Sequence, residues 1–260
     1  MKLTVLTENT TCREDLTCEH GLSLYIETGH RRILFDAGAS TAFAENAEKL
    51  GIDLGRVDTA ILSHGHYDHG GGLSHFLEIN KTAPICLSRH AFGPHYNASG
   101  RYIGLDPSLK AAGRLICVED RFQIAEGITL HSCNGRTPSF PVEPYGLCRL
   151  EKGEYLPEDF RHEQYLLIEE NGRRLCITGC SHRGILNIVS WFRPHVLIGG
   201  FHFMNLPPES PALTHAAETL LSFPTLYYTG HCTGQAQYAA LKRIMGRQLH
   251  RLSTGTTLEL

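Results

Sequence analysis

The chain has 260 residues and a formal net charge of -3, with 42% hydrophobic and 20% charged positions. This composition is typical of a globular protein and excludes a disordered chain, a collagen or a coiled coil. The charge balance gives no basic stripe of the kind that neutralises phosphates, so nucleic acid is not an expected partner. The 16 histidines against 24 Lys and Arg suggest metal or acid-base chemistry.

The cysteines and the apolar segments indicate a cytoplasmic protein with no membrane partner. Nine cysteines are scattered without paired spacing, which fits a reducing compartment better than a disulfide scaffold. The N-terminus turns polar by Thr7 and lacks the apolar core of a signal peptide. The longest uncharged apolar run, 194–208, is broken by prolines, glycines and His202 and is shorter than the roughly 20 residues that span a bilayer.

Strand and helix patterns alternate along the first half. Ser40 is expected to cap a helix that buries Phe43 and Ala47 and ends at Gly51. A short helix is predicted at 73–79. Irregular stretches are predicted at 91–113 and 133–162; long loops of this kind form the walls or lids of functional sites or are disordered, and the aromatic residues in the second stretch favour walls. Strands are predicted at 2–7, 22–27, 31–35, 57–62, 85–88, 115–118 and 128–131, the fourth of them buried on both faces.

The second half repeats the order of sheet and then helix. Asn171-Gly172 predicts a hairpin turn between two strands. No linker separates the halves, so we predict one α/β domain over 1–260. The predicted strands are 165–169, 173–178, 195–200 and 225–228, and the predicted helices are 184–192, 211–222 and 235–245.

Histidines follow three of the predicted strands. The run His64-Gly65-His66-Tyr67-Asp68-His69 comes directly after the strand 57–62, and His182 and His231 follow later ones. Ligands collect beyond the carboxyl ends of strands in α/β proteins, so these groups are expected to meet. Imidazole and carboxylate are ligands of Zn, Mn and Fe, and the run has donors enough for two ions. The competing interpretations are a solvated His-rich loop and, for the single histidines, capping or core residues.

The segment 63–71, SHGHYDHGG, resembles the signature of the metallo-β-lactamase superfamily, and 34–38, LFDAG, precedes it as in that family. Within the superfamily the chain is most similar to the branch of archaeal dihydropterin synthase-like proteins. The matching segments are LTENT at 6–10, EHGLS at 19–23, TGCSH at 178–182, GGFH at 199–202 and HCTG at 231–234. The resemblance implies a four-layer αββα sandwich with a one- or two-metal site at its edge.

The resemblance also implies roles for individual residues. Asp36 would brace the ligand loop, the segment 63–71 that carries the histidine run, through hydrogen bonds without binding metal itself. The implied ligands are His64, His66 and His182 for a first metal, and Asp68, His69 and His231 for a second.

This chain departs from the family pattern where a bridging aspartate usually closes a strand. Cys180 stands there instead, either as a thiolate ligand or as a small buried thiol. His162 and Glu163 are outside candidates for the missing ligand. His131 lies on a strand where the superfamily sometimes places chemistry, but no motif supports it.

Two further residues have both a functional and a structural interpretation. His202 is a proton donor, a ligand for a phosphate oxygen, or a core histidine bonded to backbone. Arg183 stands beside His182 near a predicted helix N-terminus, where it either binds an anionic group or lies exposed without a role.

From the resemblance we expect a metal-dependent hydrolase of a small anionic phosphoester or phosphodiester, acting through a metal-activated hydroxide, with Asp68 and His202 as catalytic residues. The expected cofactor is one or two Zn ions, with Mn or Fe as alternatives.

Two alternatives remain open. One is a transferase that joins a pterin to a phosphoribosyl-arylamine through a C–N bond. The aromatic rings that could stack on the pterin, or that could equally pack the loops, are Tyr96, Tyr102, Phe140 and Tyr145. The other is a metal-binding sensor without turnover, favoured by the incomplete bridging ligand set.

Overall fold

The computed structural model describes all 260 residues. Its helices are α1 Ala42–Lys49, α2 Tyr67–Gly70, α3 Leu73–Ile79, α4 Ile185–Phe192, α5 Pro211–Leu221 and α6 Gln235–Met245. Its strands are β1 Lys2–Thr7, β2 Ser23–Glu27, β3 Arg32–Phe35, β4 Thr59–Ile61, β5 Ile85–Ser88, β6 His95–Tyr96, β7 Leu115–Val118, β8 Arg121–Ala125, β9 Ile128–His131, β10 Cys148–Glu151, β11 Glu154–Pro157, β12 Tyr165–Glu170, β13 Arg173–Ile177, β14 Val196–Ile198, β15 Leu226–Thr229, β16 Leu249–Arg251 and β17 Thr257–Glu259.

The chain forms two compact units, each assembled from separate segments. The first unit comprises Met1–Glu119, Gly146–Gln164 and Ser253–Leu260, and the second comprises Asp120–Tyr145 and Tyr165–Leu252. That the whole of 1–260 acts as one domain stays a prediction.

The first unit is built on a seven-stranded sheet in the order β17-β1-β2-β3-β4-β5-β7. The strands from β3 to β7 are parallel, and Phe35 of β3 lies beside Ile61 of β4. Phe43 of α1 and Phe76 of α3 belong to the core that packs on one face. Ala60 and Ile61 point to opposite faces, and both are fully buried. The apolar run 57–62 therefore has the two-sided burial that its sequence predicts.

A three-stranded sheet, β11-β10-β6, lies within the stretches that the sequence predicted to be irregular. That prediction was wrong because β6 has only two residues and its partner is remote, with Arg149 of β10 beside His95 of β6. A strand so short has no periodicity to detect. This small sheet positions a histidine that belongs to the site described below.

The second unit has its own seven-stranded sheet in the order β16-β15-β14-β13-β12-β9-β8. The strands from β13 to β16 are parallel, so their carboxyl ends share one edge. Helices α4, α5 and α6 bury Ile188, Leu220 and Leu241 in one core with Leu197 of β14. The hairpin at Asn171 joins β12 and β13 as predicted.

Helix ends differ slightly from the sequence expectation. Helix α1 begins at Ala42 with Thr41 at the cap position, so Ser40 is not its cap, although the Ser40 hydroxyl accepts a hydrogen bond from the Ala42 N–H at 3.1 Å. The offset arises because either hydroxyl residue can stand before the first turn. None of the helices is long and apolar enough to cross a membrane.

Candidate metal centre

Asp36 organises the end of β4 in the first unit. It follows β3 with a left-handed φ of 59° and is fully buried. Its Oδ1 accepts from the Ser63 N–H at 2.6 Å and its Oδ2 from the Ser63 hydroxyl at 2.7 Å. The same Oδ2 lies 2.6 Å from Nδ1 of His69. A buried carboxylate accepts such bonds as an anion, so Asp36 contacts the ligand loop as a bracing residue would.

These contacts decide which nitrogen of each imidazole carries hydrogen. His69 donates from Nδ1 to Asp36, which leaves a lone pair on Nε2. The single hydroxyl hydrogen of Ser63 goes to Asp36, so Ser63 Oγ accepts from Nδ1 of His64 at 2.9 Å. His64 therefore also presents an Nε2 lone pair. Both rings have the tautomer that binds a metal through Nε2.

The three histidines of the run lie against one another. The ring centroid of His64 is 4.6 Å from that of His66 and 4.2 Å from that of His69, and all three are buried. Burial lowers the pKa of His66 to about 3, so this ring is neutral at physiological pH, as a metal ligand must be.

Asp68 lies on the short helix α2, beside these rings. Its Oδ2 is 3.9 Å from Nε2 of His69 and 3.5 Å from Nε2 of His20. An anionic oxygen therefore lies near the nitrogen of His69 that carries a lone pair. The first unit thus brings together the predicted ligands His64, His66, Asp68 and His69, and their metal roles stay predictions.

The first unit holds a second buried group that includes possible metal ligands, formed by His95, Glu158 and His162. The sequence did not predict this group, although it gave His162 as an outside candidate. Nδ1 of His95 lies 2.7 Å from Oε2 of Glu158, and the ring centroid of His162 is 3.9 Å from that of His95 and 5.0 Å from that of His66. The ligand atoms of His66, His95 and His162 all lie within 4.8 Å of one another. The only sign of this group in the sequence is the four-residue spacing of Glu158 and His162. His95 joins them through the pairing of β6 with β10, which no local pattern indicates.

His95 and His162 have different hydrogen-bonding capacity. The carboxylate of Glu158 takes the Nδ1 hydrogen of His95, which leaves a lone pair on Nε2, a buried atom without a hydrogen-bond partner. Nδ1 of His162 instead accepts the Gly65 N–H at 2.9 Å, so the neutral ring of His162 carries hydrogen on Nε2. That Nε2 is 3.7 Å from Oε1 of Glu158, too far for a hydrogen bond. Of the two, His95 is the one that presents a lone pair to a metal.

Glu158→Gln is expected to lower the free energy of unfolding by about 2 kcal/mol, because hydrogen bonds to buried charged groups contribute about 1.5–3 kcal/mol. Urea denaturation measures this loss. The matched control is Glu119→Gln, because Glu119 pairs with Arg89 at 2.9 Å but its side chain is 77% exposed. We expect a change of about 0.5 kcal/mol or less in the control.

The stabilisation by Glu158 is also expected to depend on pH. Burial raises the pKa of Glu158, but the hydrogen bond from His95 and the electrostatic interactions with His95 and His66 outweigh it, so the pKa lies below its ordinary value. A carboxyl group with a lowered folded-state pKa stabilises the protein above its unfolded pKa, and this stabilisation is lost as pH falls through the folded pKa. The difference between wild type and Glu158→Gln should therefore shrink in acid. A difference independent of pH would contradict this.

The second unit collects donors at the carboxyl ends of three adjacent parallel strands. Cys180 and His182 follow β13, His202 follows β14, and His231 and Cys232 follow β15. His202 and His231 have left-handed φ values of 55° and 49°, a rare backbone conformation that clusters at functional sites. Two sets, Cys180 with His182 and His202, and Cys180 with His231 and Cys232, each have their ligand atoms within 4.8 Å of one another.

Cys232 had no role in the sequence interpretation, and it belongs to one of these two sets, while Cys180 belongs to both. Burial raises the pKa of its thiol, but interactions with the side chains of Cys180 and His202 and the charge of His231 outweigh it, and the pKa lies well below its usual value. The thiolate, rather than the thiol, is the form that binds metals. Cys180 itself is buried.

An apolar cavity of about 310 Å³ opens beside these donors within the second unit. Phe140, Tyr145 and Phe201 line it together with His182 and His202, and the ring centroid of Tyr145 is 5.7 Å from that of His202. Of the four aromatics considered for stacking, only Phe140 and Tyr145 line this cavity. The other two, Tyr96 and Tyr102, pack against each other in the first unit with ring centroids 5.5 Å apart.

Arg183 is buried, so it is not the exposed residue of the structural alternative. It donates to Oδ1 of Asn134 at 2.7 Å, and its guanidinium lies 5.6 Å from the Trp191 ring centroid. Whether it binds an anion stays a prediction. His131 packs on Phe192, and Glu163 is fully buried.

Comparison with known proteins gives the same family as the motif. The family model described as the metallo-beta-lactamase superfamily matches residues 16–167. In Methanocaldococcus jannaschii, a 7,8-dihydropterin-6-methyl-4-(beta-D-ribofuranosyl)-aminobenzene-5'-phosphate synthase is 31% identical over 83% of this chain and 81% of its own. An uncharacterized protein of that organism is 28% identical over 88% of this chain and 90% of its own. The chain therefore belongs to the metallo-beta-lactamase superfamily.

A solved structure supports the fold in detail. Tm1679, described as a metal-dependent hydrolase of the beta-lactamase superfamily, has a TM-score of 0.81 and 28% identity, with 100% of this chain and 99% of that chain covered. The α/β fold class, the resemblance to the superfamily and the resemblance to the dihydropterin synthase-like branch are confirmed. Members of the superfamily bind metal ions, and this chain has His and Cys clusters that could hold one.

Proposed function

We propose that the protein is a metal-dependent hydrolase of a small phosphoester or phosphodiester. The observation that carries this proposal is the arrangement around Asp36, which gives His64 and His69 the tautomer with a lone pair on Nε2 while both rings are buried. Histidines that only packed in a core would have no need of a shared, fully buried carboxylate that sets both tautomers. Membership of the superfamily supports the enzyme class, and the phosphate in the name of the 31% identical relative supports an anionic substrate.

The first unit supplies the proposed ligands His64, His66, Asp68 and His69. The resemblance adds His182 and His231 from the second unit. Nitrogen and carboxylate donors suit one or two Zn ions, with Mn or Fe as alternatives. A bound ion would polarise the substrate and lower the pKa of bound water to about 7.

The protein's own groups have separate tasks in this proposal. Asp36 and Ser63 hold the imidazoles in place and in the correct tautomer. The carboxylate of Asp68 orients and accepts a proton from the attacking water, and His202, whose ring borders the cavity of the second unit, donates a proton to the leaving group. The planar guanidinium of Arg183 has the geometry that suits an anionic group.

The test is an activity panel on the metal-stripped full chain, reconstituted separately with Zn, Mn and Fe. Phosphomonoesters and phosphodiesters are assayed for product release. Turnover that requires metal and is lost in His66→Ala supports the hydrolase. The control is His75→Ala, because His75 lies on helix α3 of the same unit and outside the cluster. A protein that binds metal and turns over nothing in the panel favours the sensor alternative.

A second candidate function is the transferase that joins a pterin to a phosphoribosyl-arylamine. Two observations favour it, the name of the relative at 31% identity and the aromatic lining of the cavity in the second unit. The backbone of Phe140 is fixed by Asn187, whose amide bonds both its N–H at 2.8 Å and its carbonyl at 3.0 Å. A fixed aromatic ring on a cavity wall suits the stacking of a flat heterocycle.

Phe140→Ala tests this candidate. Loss of one aromatic contact, about 0.5–1.5 kcal/mol, should raise KM for a dihydropterin substrate by roughly 2- to 12-fold, with a smaller effect on kcat. Steady-state kinetics with a dihydropterin donor and a phosphoribosyl-arylamine acceptor measure it. Tyr155→Ala is the control, because Tyr155 is 59% exposed on β11. An equal KM in Phe140→Ala and wild type would count against stacking at this wall.

A further inference from the structure

Three donors in the second unit form a group with a ligand chemistry different from that of the histidine run. The sulfur atoms of Cys180 and Cys232 and a ring nitrogen of His231 lie within 4.8 Å of one another, and all three residues are buried. In the tetrahedral geometry of zinc, two ligand atoms about 2.0–2.3 Å from the ion are roughly 3.3–3.8 Å apart. The three donor atoms therefore need to approach one another by at most about 1.5 Å to share an ion.

The topology explains why two cysteines so far apart in sequence meet. Strand β14 lies between β13 and β15, and all three are parallel, so Cys180 and Cys232 leave the sheet at the same edge. Sγ of Cys232 is 3.5 Å from the Cys180 carbonyl oxygen. The two thiols are held together by the order of the strands, and the sequence alone does not bring them together.

The backbone leaves room for the Cys232 thiol. Gly200 follows β14, and a Cβ at that position would collide with Sγ of Cys232. The turn that carries Cys232 is fixed by Thr233, whose hydroxyl lies 2.5 Å from that of Thr229 and accepts the Phe201 N–H at 2.9 Å. The space and the turn together hold the sulfur in a defined position.

We propose that Cys180, His231 and Cys232 form a thiolate-imidazole site for a soft or borderline divalent cation such as Zn²⁺. Cys232 thereby becomes a ligand in addition to Cys180, which stands where the family pattern has a carboxylate. Thiolates select Zn²⁺ over Mn²⁺, and each thiol that is still protonated releases its proton to solvent when the ion binds. The site shares His231 with the proposed ligand set of the hydrolase, but it does not depend on catalysis, because the residues hold an ion whether or not the protein turns over a substrate.

The experiment is a titration of the metal-stripped full chain with Co²⁺, followed by the near-ultraviolet absorption of thiolate-to-cobalt charge transfer. Wild type should show this absorption, Cys180→Ser and Cys232→Ser about half of it, and the double variant none. The matched control is Cys176→Ser, because Cys176 is a fully buried cysteine in the apolar core of the same unit and its loss should leave the absorption unchanged. Gly200→Ala should reduce the absorption without removing a ligand.

A measurement on wild type guards against variants that fail to fold. X-ray absorption of the zinc-loaded protein should show two sulfur neighbours at about 2.3 Å. The sulfur coordination number is an average over all bound zinc, so it is multiplied by the measured zinc content, and a product of one sulfur per chain, or none, would overturn the two-thiolate site. Cobalt absorption in Cys232→Ser equal to that of wild type would also overturn it. Neither result depends on activity, so failure here is distinguishable from failure of the hydrolase proposal.

Discussion

Asp36→Asn is expected to weaken metal binding by roughly 10- to 100-fold, the usual effect of changing a residue that orients a metal-binding histidine, while the protein stays folded. The carbonyl oxygen of the introduced asparagine can still accept the Ser63 N–H. Its amide nitrogen replaces Oδ2 and donates where Oδ2 accepted. The bonds to the Ser63 hydroxyl and to Nδ1 of His69 then reverse, which places hydrogen on Nε2 of His69 and, through Ser63, of His64.

A competitive chelator titration measures the affinity, and urea denaturation measures the stability. Asparagine tolerates the left-handed backbone at position 36, so its cost in stability should be small. Asp36→Ala leaves three donors without their acceptor, at about 1–3 kcal/mol each when buried, and should lower the free energy of unfolding by about 3 kcal/mol or more. The control is Asp53→Asn, because Asp53 only accepts the Gly55 N–H in a surface turn. Unchanged metal affinity in Asp36→Asn would show that the tautomers are not set in this way.

The parts of the fold that could be predicted are those whose signal is local. The apolar run 57–62 and the hairpin at Asn171 carry their patterns within a few residues. The run of proposed ligands from His64 to His69 is equally local, because one short segment that ends in helix α2 holds it and a fixed spacing identifies it.

The parts that could not be predicted depend on pairing between remote segments. His95 reaches Glu158 only because β6, β10 and β11 form a small sheet, and a two-residue strand leaves no pattern in the sequence. Cys232 is adjacent to a predicted ligand, but its meeting with Cys180 depends on β14 lying between β13 and β15. The tautomers of His64 and His69 depend on where the single hydroxyl hydrogen of Ser63 points, which no spacing specifies.

His66→Ala and His182→Ala are each expected to lower the bound metal well below that of wild type and, with it, any metal-dependent turnover by about 100-fold or more. Losing a ligand should cost at least as much as losing a residue that orients one, roughly 10- to 100-fold in affinity. His66 is buried among other imidazoles and His182 lies 4.2 Å from His202 between ring centroids, so each change removes a donor from a cluster. Elemental analysis of the purified proteins gives the stoichiometry, and His75→Ala should match wild type. Unchanged stoichiometry in both variants would mean that the ligand assignment from the sequence is wrong.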